Sequence, residues 1–150
     1  MNVTISTNSI KSVLFLIIQF LCVFILGFTG ILLPDNYILL SFLFLSLLLP
    51  LWAMIIMKFH FNGAPEVLPG MTLKTSGPYR LIRHPMYTSL LILGAVWIIN
   101  DFSVFRFIIF IVLLIDLLFK MHYEEKLLLG KFPEYAEYKK HTKRIIPFIY

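Results

Sequence analysis

Apolar residues in this chain come in long runs separated by short polar breaks. The first run, about Ser12 to Leu33 (SVLFLIIQFLCVFILGFTGILL), is long enough to cross roughly 30 Å of hydrocarbon at about 1.5 Å per residue. The second, about Tyr37 to Met57 (YILLSFLFLSLLLPLWAMIIM), matches it in length and carries Pro50 as an expected kink. The third, about Pro85 to Ile99 (PMYTSLLILGAVWII), is short for a full crossing and borrows boundary residues or sits in thinned bilayer. The fourth runs from about Phe102 to Phe119 (FSVFRFIIFIVLLIDLLF). The first run is too long for a signal-peptide core and has no small-residue cleavage site, so it reads as an uncleaved helix. The pattern predicts an all-α fold: one domain over residues 1–150, an integral membrane bundle of four transmembrane helices. A loop over 58–84 and a tail over 120–150 lie outside the hydrocarbon.

Composition agrees with that reading. Hydrophobic residues make up 59% and charged residues 14%, too little polar surface to coat a soluble globule. Cys22 is the only cysteine, so no intrachain disulfide or cysteine-rich metal site is available, and no metal is expected. The net charge of +5 raises a nucleic-acid reading, but the basic residues flank the apolar runs, which makes them topological and leaves no nucleic-acid partner. PDNY after the first run and ND after the third carry Asp35 and Asp101 and no Lys or Arg. The loop holds Lys58, Lys74, Arg80 and Arg83; the tail holds Lys120, Lys126, Lys131, Lys139, Lys140, Lys143 and Arg144. The positive-inside rule therefore places loop, tail and both termini in the cytoplasm. Lys58 and Lys120 mark cytoplasmic helix ends, Arg106 is expected to snorkel outward, and Gln19 to find a partner on a neighbouring helix. Asp116 sits about a turn inside the inner boundary, with Lys120 as its local partner four residues on.

The polar segments converge on one side. The loop is punctuated by Pro65, Pro69, Gly70, Gly77 and Pro78, yet its apolar content argues for an ordered stretch against the membrane face. The tail extends the fourth helix until Gly130 or Pro133 breaks it, PEYAEYKK begins a short amphipathic helix, and RIIPFIY closes the chain as an interfacial plug. Pro85 suits the first helical position, so His84 falls near the N-cap of the third helix. The helix dipole makes that end an anion site, reinforced by Arg80, Arg83 and His84. Helices three and four are joined only by ND and must run as an antiparallel hairpin, which brings Glu124 and Glu125 beside the basic cluster. Two readings stand: the charges neutralise one another and anchor the hairpin, or they clasp a zwitterion, the basic cluster taking a carboxylate and Glu an ammonium.

LKTSGPYRLIRHPMY before an apolar helix, then YEEKLLLGKFPEYAEYKK and RIIP, closely resembles the membrane-embedded isoprenylcysteine carboxyl methyltransferase and phospholipid methyltransferase group, marked by R-H-P-x-Y, a hydrophobic stretch and a Glu pair. The resemblance covers about residues 71 to 147. It implies S-adenosylmethionine as cofactor, whose amino-acid end is such a zwitterion. It places the cofactor contacts on Met71, Thr72, Leu73, Lys74, Tyr79, His84, Pro85, Met86, Tyr87 and Glu124. Arg83 and Glu125 become the candidate catalytic residues, and Lys120 the candidate for binding the acceptor. The acceptor implied is lipidic or prenylated, reaching the site from among the membrane lipids, and the first expectation is carboxyl O-methylation.

Departures from the family pattern bear on the acceptor. Lys120 stands where the prenylcysteine enzymes carry an arginine facing the acceptor's carboxylate, and an ammonium cannot make the same two-pronged contact. Pro133 replaces a glycine, and the G-x-G element of the phospholipid methyltransferases is absent, only Gly94 lying in the third helix. An amine acceptor is therefore the second expectation. Sterol reductases that bind NADPH share the R-H-P-x-Y element and a similar tail but are much longer, and a non-catalytic membrane scaffold is the third alternative.

Overall fold

A computed structural model describes residues 7–58, 72–147, 149 and 150. It contains helices α1 (Thr7–Phe28), α2 (Tyr37–Ile56), α3 (Pro85–Asn100), α4 (Val104–Lys131) and α5 (Tyr135–His141), with a 3-10 turn at Gly77–Arg80. The all-α expectation holds: among the described residues the only extended pairing is an isolated bridge between Ile82 and Lys143. Among the described residues two helices are long and apolar enough to cross a membrane, over Ile10–Phe28 and Tyr37–Ile56. The third apolar helix is shorter, at 16 residues, and α4 runs for 28 residues from an apolar half into a charged one.

The helix boundaries have local causes. Asn36 starts α2 by accepting the amides of Ile38 (2.8 Å) and Leu39 (3.3 Å), and Ser103 starts α4 by accepting that of Arg106 (3.2 Å). Helix α3 opens on Pro85 with His84 at the N-cap, as the sequence predicts. Helix α4 stays intact through Gly130 and stops at Phe132, whose extended backbone (φ −114°, ψ 105°) is what a following proline imposes.

Helix α1 ends at Phe28, before the Leu33 expected from hydropathy. The cause lies with Arg106, which does not snorkel. It is 2% exposed, pairs with Asp101 at 3.0 Å, and donates to the backbone carbonyls of Asp101 and, at 3.3 Å, Leu26. The carbonyls of Leu26 and Asp101 and the carboxylate of the α3–α4 turn engage both terminal nitrogens of the guanidinium without its leaving the protein, although its buried Nε has no partner among the described residues. Gly30 passes so close that a Cβ there would collide with the guanidinium. Trp97 Nε1 donating to Leu32 O (3.1 Å) and Asn100 Nδ2 donating to Ile31 O (3.2 Å) tie the same segment to α3.

Helix α1 packs along α4 and α2 along α3, around a core of Cys22, Leu26, Trp97, Ile98, Leu113, Leu117, Met121 and Ile145. The distribution outside that core is the reverse of a soluble protein's. Phe20, Phe24, Leu48, Ile55, Ile108 and Phe119 are exposed, while Arg106, Asp116, Lys120 and Glu125 are buried on the inner face of α4. Apolar side chains outward and charges inward is the arrangement hydrocarbon solvent selects.

Candidate functional site

The site forms where α3 begins, because the α3–α4 turn is tight and α4 returns past it. The approach is built by TSGPY. Gly77 adopts φ +61°, and a Cβ there would lie 2.8 Å from Ile56 and 3.3 Å from the Trp52 indole nitrogen, so the turn can press onto the end of α2 only as glycine. Tyr79 donates to Met57 Sδ (3.0 Å), and Tyr138 of α5 donates to the Tyr79 carbonyl (2.5 Å). The next residues lie beside the end of the chain. Arg83 N donates to Lys143 O (2.7 Å), His84 N to Arg144 O (3.0 Å) and Thr88 Oγ1 to Ile145 O (3.0 Å). RIIP, read from sequence as an interfacial plug, is thereby hydrogen-bonded to the R-H-P segment.

Glu125 is the hub of the charges. Its carboxylate faces Arg83 Nε at 2.9 Å, Arg144 Nη2 at 3.1 Å, Lys139 Nζ at 3.2 Å and His84 Nε2 at 3.4 Å. Arg83 also donates to the carbonyls of Thr142 and, at 3.3 Å, Lys139. Burial pushes the Glu125 carboxyl up, but the adjacent His84 imidazole and hydrogen bonds from Arg144 and Arg83 outweigh it and hold the group well below the usual carboxylate range. Three permanent cations against one carboxylate leave an excess of positive charge at the start of α3.

Glu124 is different. Its side chain is 27% exposed, and it accepts from the Tyr87 hydroxyl at 2.9 Å with His84 Nδ1 at 3.7 Å. The His84 and Tyr87 rings are nearly parallel, 5.4 Å apart at 11°. Lys120 lies over the other side of this group, its Nζ 5.0 Å from the Tyr87 ring centre and donating to Gln19 Oε1 at 2.6 Å. The expected Lys120–Asp116 partnership does not form an ion pair; Gln19 takes the ammonium, and both Asp116 oxygens are left without a hydrogen-bond partner.

Arg83, His84, Tyr87, Lys120, Glu124 and Glu125 are thus brought together, and Pro85 and Met86 adjoin them as the first residues of α3. Leu73 packs against the cluster of Leu128, Phe132 and Tyr135, while Thr72 is exposed and Lys74 and Tyr79 are half-buried. Met71 lies outside the described residues. Sequence reasoning missed Arg144 and Lys139, whose signal, the basic residues of KKHTKR running into IIP, had been absorbed into topology.

This arrangement fits a zwitterion of amino-acid type. A partly exposed carboxylate offers the ammonium a partner, the positive excess offers one to the carboxylate, and two nearly parallel rings provide a flat wall. The model of the isoprenylcysteine carboxyl methyltransferase family matches residues 37–130, more than half of the chain, from the start of α2 nearly to the end of α4. No curated protein matches the chain.

Proposed function

Because the chain belongs to the isoprenylcysteine carboxyl methyltransferase family, we propose that it transfers the methyl group of S-adenosylmethionine to a lipidic or prenylated acceptor at the cytoplasmic face of a membrane. In this reading the four long helices all span, both termini are cytoplasmic, and α3 completes its crossing with flanking residues. The observation that carries the reading is the meeting of His84, Tyr87 and Glu124 at the mouth of the α3–α4 hairpin.

S-adenosylmethionine supplies an electrophilic methyl on a sulfonium, and its in-line transfer asks the protein mainly for alignment in a dry pocket. Glu124 holds the ammonium and the cationic excess beside Glu125 receives the carboxylate. The His84 and Tyr87 rings, with Tyr79 and Thr72 to Lys74, bound the nucleoside. Arg83 and Glu125 act by fixing His84 and the tail, since their charges are spent on each other and on backbone carbonyls. Lys120, buried deeper on α4, faces the acceptor. The family's description makes a carboxyl oxygen the first expectation for the attacking atom and an amine nitrogen the second.

Membranes holding the chain, incubated with methyl-labelled S-adenosylmethionine and a lipid extract, are expected to move label into the organic phase. Base-labile label identifies an ester and base-stable label an amine. Label left wholly in the aqueous phase, with NADPH bound in its place, would overturn the proposal.

A further inference from the structure

Lys120 is 1% exposed and Gln19 8%, and they meet across two helices, the ammonium donating to the Gln19 amide oxygen at 2.6 Å. Helix α1, which carries Gln19, lies outside the span of the family match, residues 37–130. Position along the chain alone favours other partners. Asp116 and Glu124 stand four residues to either side of Lys120 on one face of α4, the spacing at which a lysine reaches a carboxylate. Both act on the ammonium through space, yet among the described residues no carboxylate forms an ion pair with it. Its contacts are the amide oxygen and, at 5.0 Å, the face of the Tyr87 ring.

Both of these partners are neutral. An amide oxygen and an aromatic face orient an ammonium without cancelling its charge. Of the three N–H donors Gln19 takes one, so two remain for an incoming oxygen. Had Lys120 turned to Asp116, a buried ion pair would have consumed the charge and the donors together. Gln19 is the contact that prevents this, and it comes from the helix packed along α4.

We infer that Gln19 is a positioning residue that fixes the class of acceptor: its uncharged contact holds Lys120 off Asp116, leaving an ammonium whose free donors take one oxygen of an acceptor carboxylate. This rests on the methyl-transfer reading above. It also answers the departure at Lys120. A guanidinium fork carries its own orientation, whereas an ammonium on a flexible stem needs a second residue to aim it. One carboxylate oxygen rests on Lys120, and a lone pair of the other forms the oxygen–methyl bond as the methyl–sulfur bond breaks. The electron pair of the broken bond stays on sulfur as a neutral thioether. No proton moves, so this seam has to hold the acceptor and has no base to supply.

The full chain in phosphatidylcholine vesicles, given methyl-labelled S-adenosylmethionine, is offered N-acetyl-S-farnesylcysteine or farnesylamine. Label is expected on the farnesylcysteine, in base-labile form. Gln19→Glu keeps an oxygen against Lys120 but adds a negative charge. It should raise KM for the farnesylcysteine by about 10- to 10²-fold, with kcat, S-adenosylmethionine binding and the thermal midpoint retained. A residue that merely anchors α1 to α4 would be replaced by Glu without any change in KM. Gln19→Met should raise KM as well, by letting Lys120 turn to Asp116, and adding Asp116→Asn should bring it back toward the wild-type value. If Gln19→Glu does not fold, the Met variant with and without Asp116→Asn decides by the same readings. KM unmoved by Gln19→Glu, KM of the Met variant unmoved or unrelieved by Asp116→Asn, or label on farnesylamine or on neither probe would overturn the inference. Wild-type protein that binds no S-adenosylmethionine would remove the underlying reading as well.

Discussion

Glu125→Ala is expected to cost about 3–5 kcal/mol of stability, the range found when one member of a buried ion pair is removed. The magnitude follows from what remains. Arg83 and Glu125 side chains are 6% and 3% exposed, so truncating the carboxylate leaves a buried guanidinium facing Arg144 and Lys139 with no anion among them. Four segments lose their common anchor together: the start of α3, the C-terminal part of α4, α5 and the final residues. The pH dependence has a definite sign. A carboxyl whose folded value is depressed contributes its full stability above the ordinary value of 4.5, and loses it as pH falls from there toward the folded value. Thermal or denaturant melts of detergent-solubilised wild type should therefore weaken below about pH 4.5, with the Glu125→Ala variant lacking this contribution. Equal midpoints for the two proteins at neutral pH would show that the cluster is not the hub described.

Glu124→Ala should leave the fold in place and weaken S-adenosylmethionine binding by about 10- to 10²-fold, the worth of one charge-assisted hydrogen bond of about 1.5–3 kcal/mol. The contrast between adjacent glutamates follows from their settings. Glu124 is 27% exposed in its side chain and gives up only the Tyr87 hydroxyl and a 3.7 Å approach to His84. Equilibrium dialysis of the labelled cofactor, set beside melts of the same preparations, separates the two roles. Loss of stability in Glu124→Ala equal to that of Glu125→Ala would make the pair a single structural unit.

Much of this site was legible in the sequence because its causes are local or topological. Pro85 fixes the start of α3, ND forces the return of α4, and the hairpin then has to bring His84 and Glu124 together, as the 3.7 Å approach confirms. Pro133 likewise ended α4 where its steric effect requires. What hydropathy could not show was how individual cations would be satisfied. A run such as FTGILL is apolar whether or not it is helical, so nothing in it signalled that Arg106 would draw carbonyls and Gly30 out of α1. Lys120 and Asp116 sit at the spacing of a local pair, but Gln19 on α1 competed for the ammonium and won. Arg144 and Lys139 lie far along the chain from Arg83, and only the docking of the tail on the R-H-P segment brings all three to one carboxylate.

Ultraviolet cross-linking of methyl-labelled S-adenosylmethionine, followed by peptide mapping, tests the central claim most directly. Label is expected on peptides containing His84 to Tyr87 and Glu124, and to be lost from both in Glu124→Ala. Label instead at the opposite end of the bundle, in the cavity of about 280 Å³ lined by Val23, Phe24, Gly27, Phe28, Leu32 and Trp97, would contradict it.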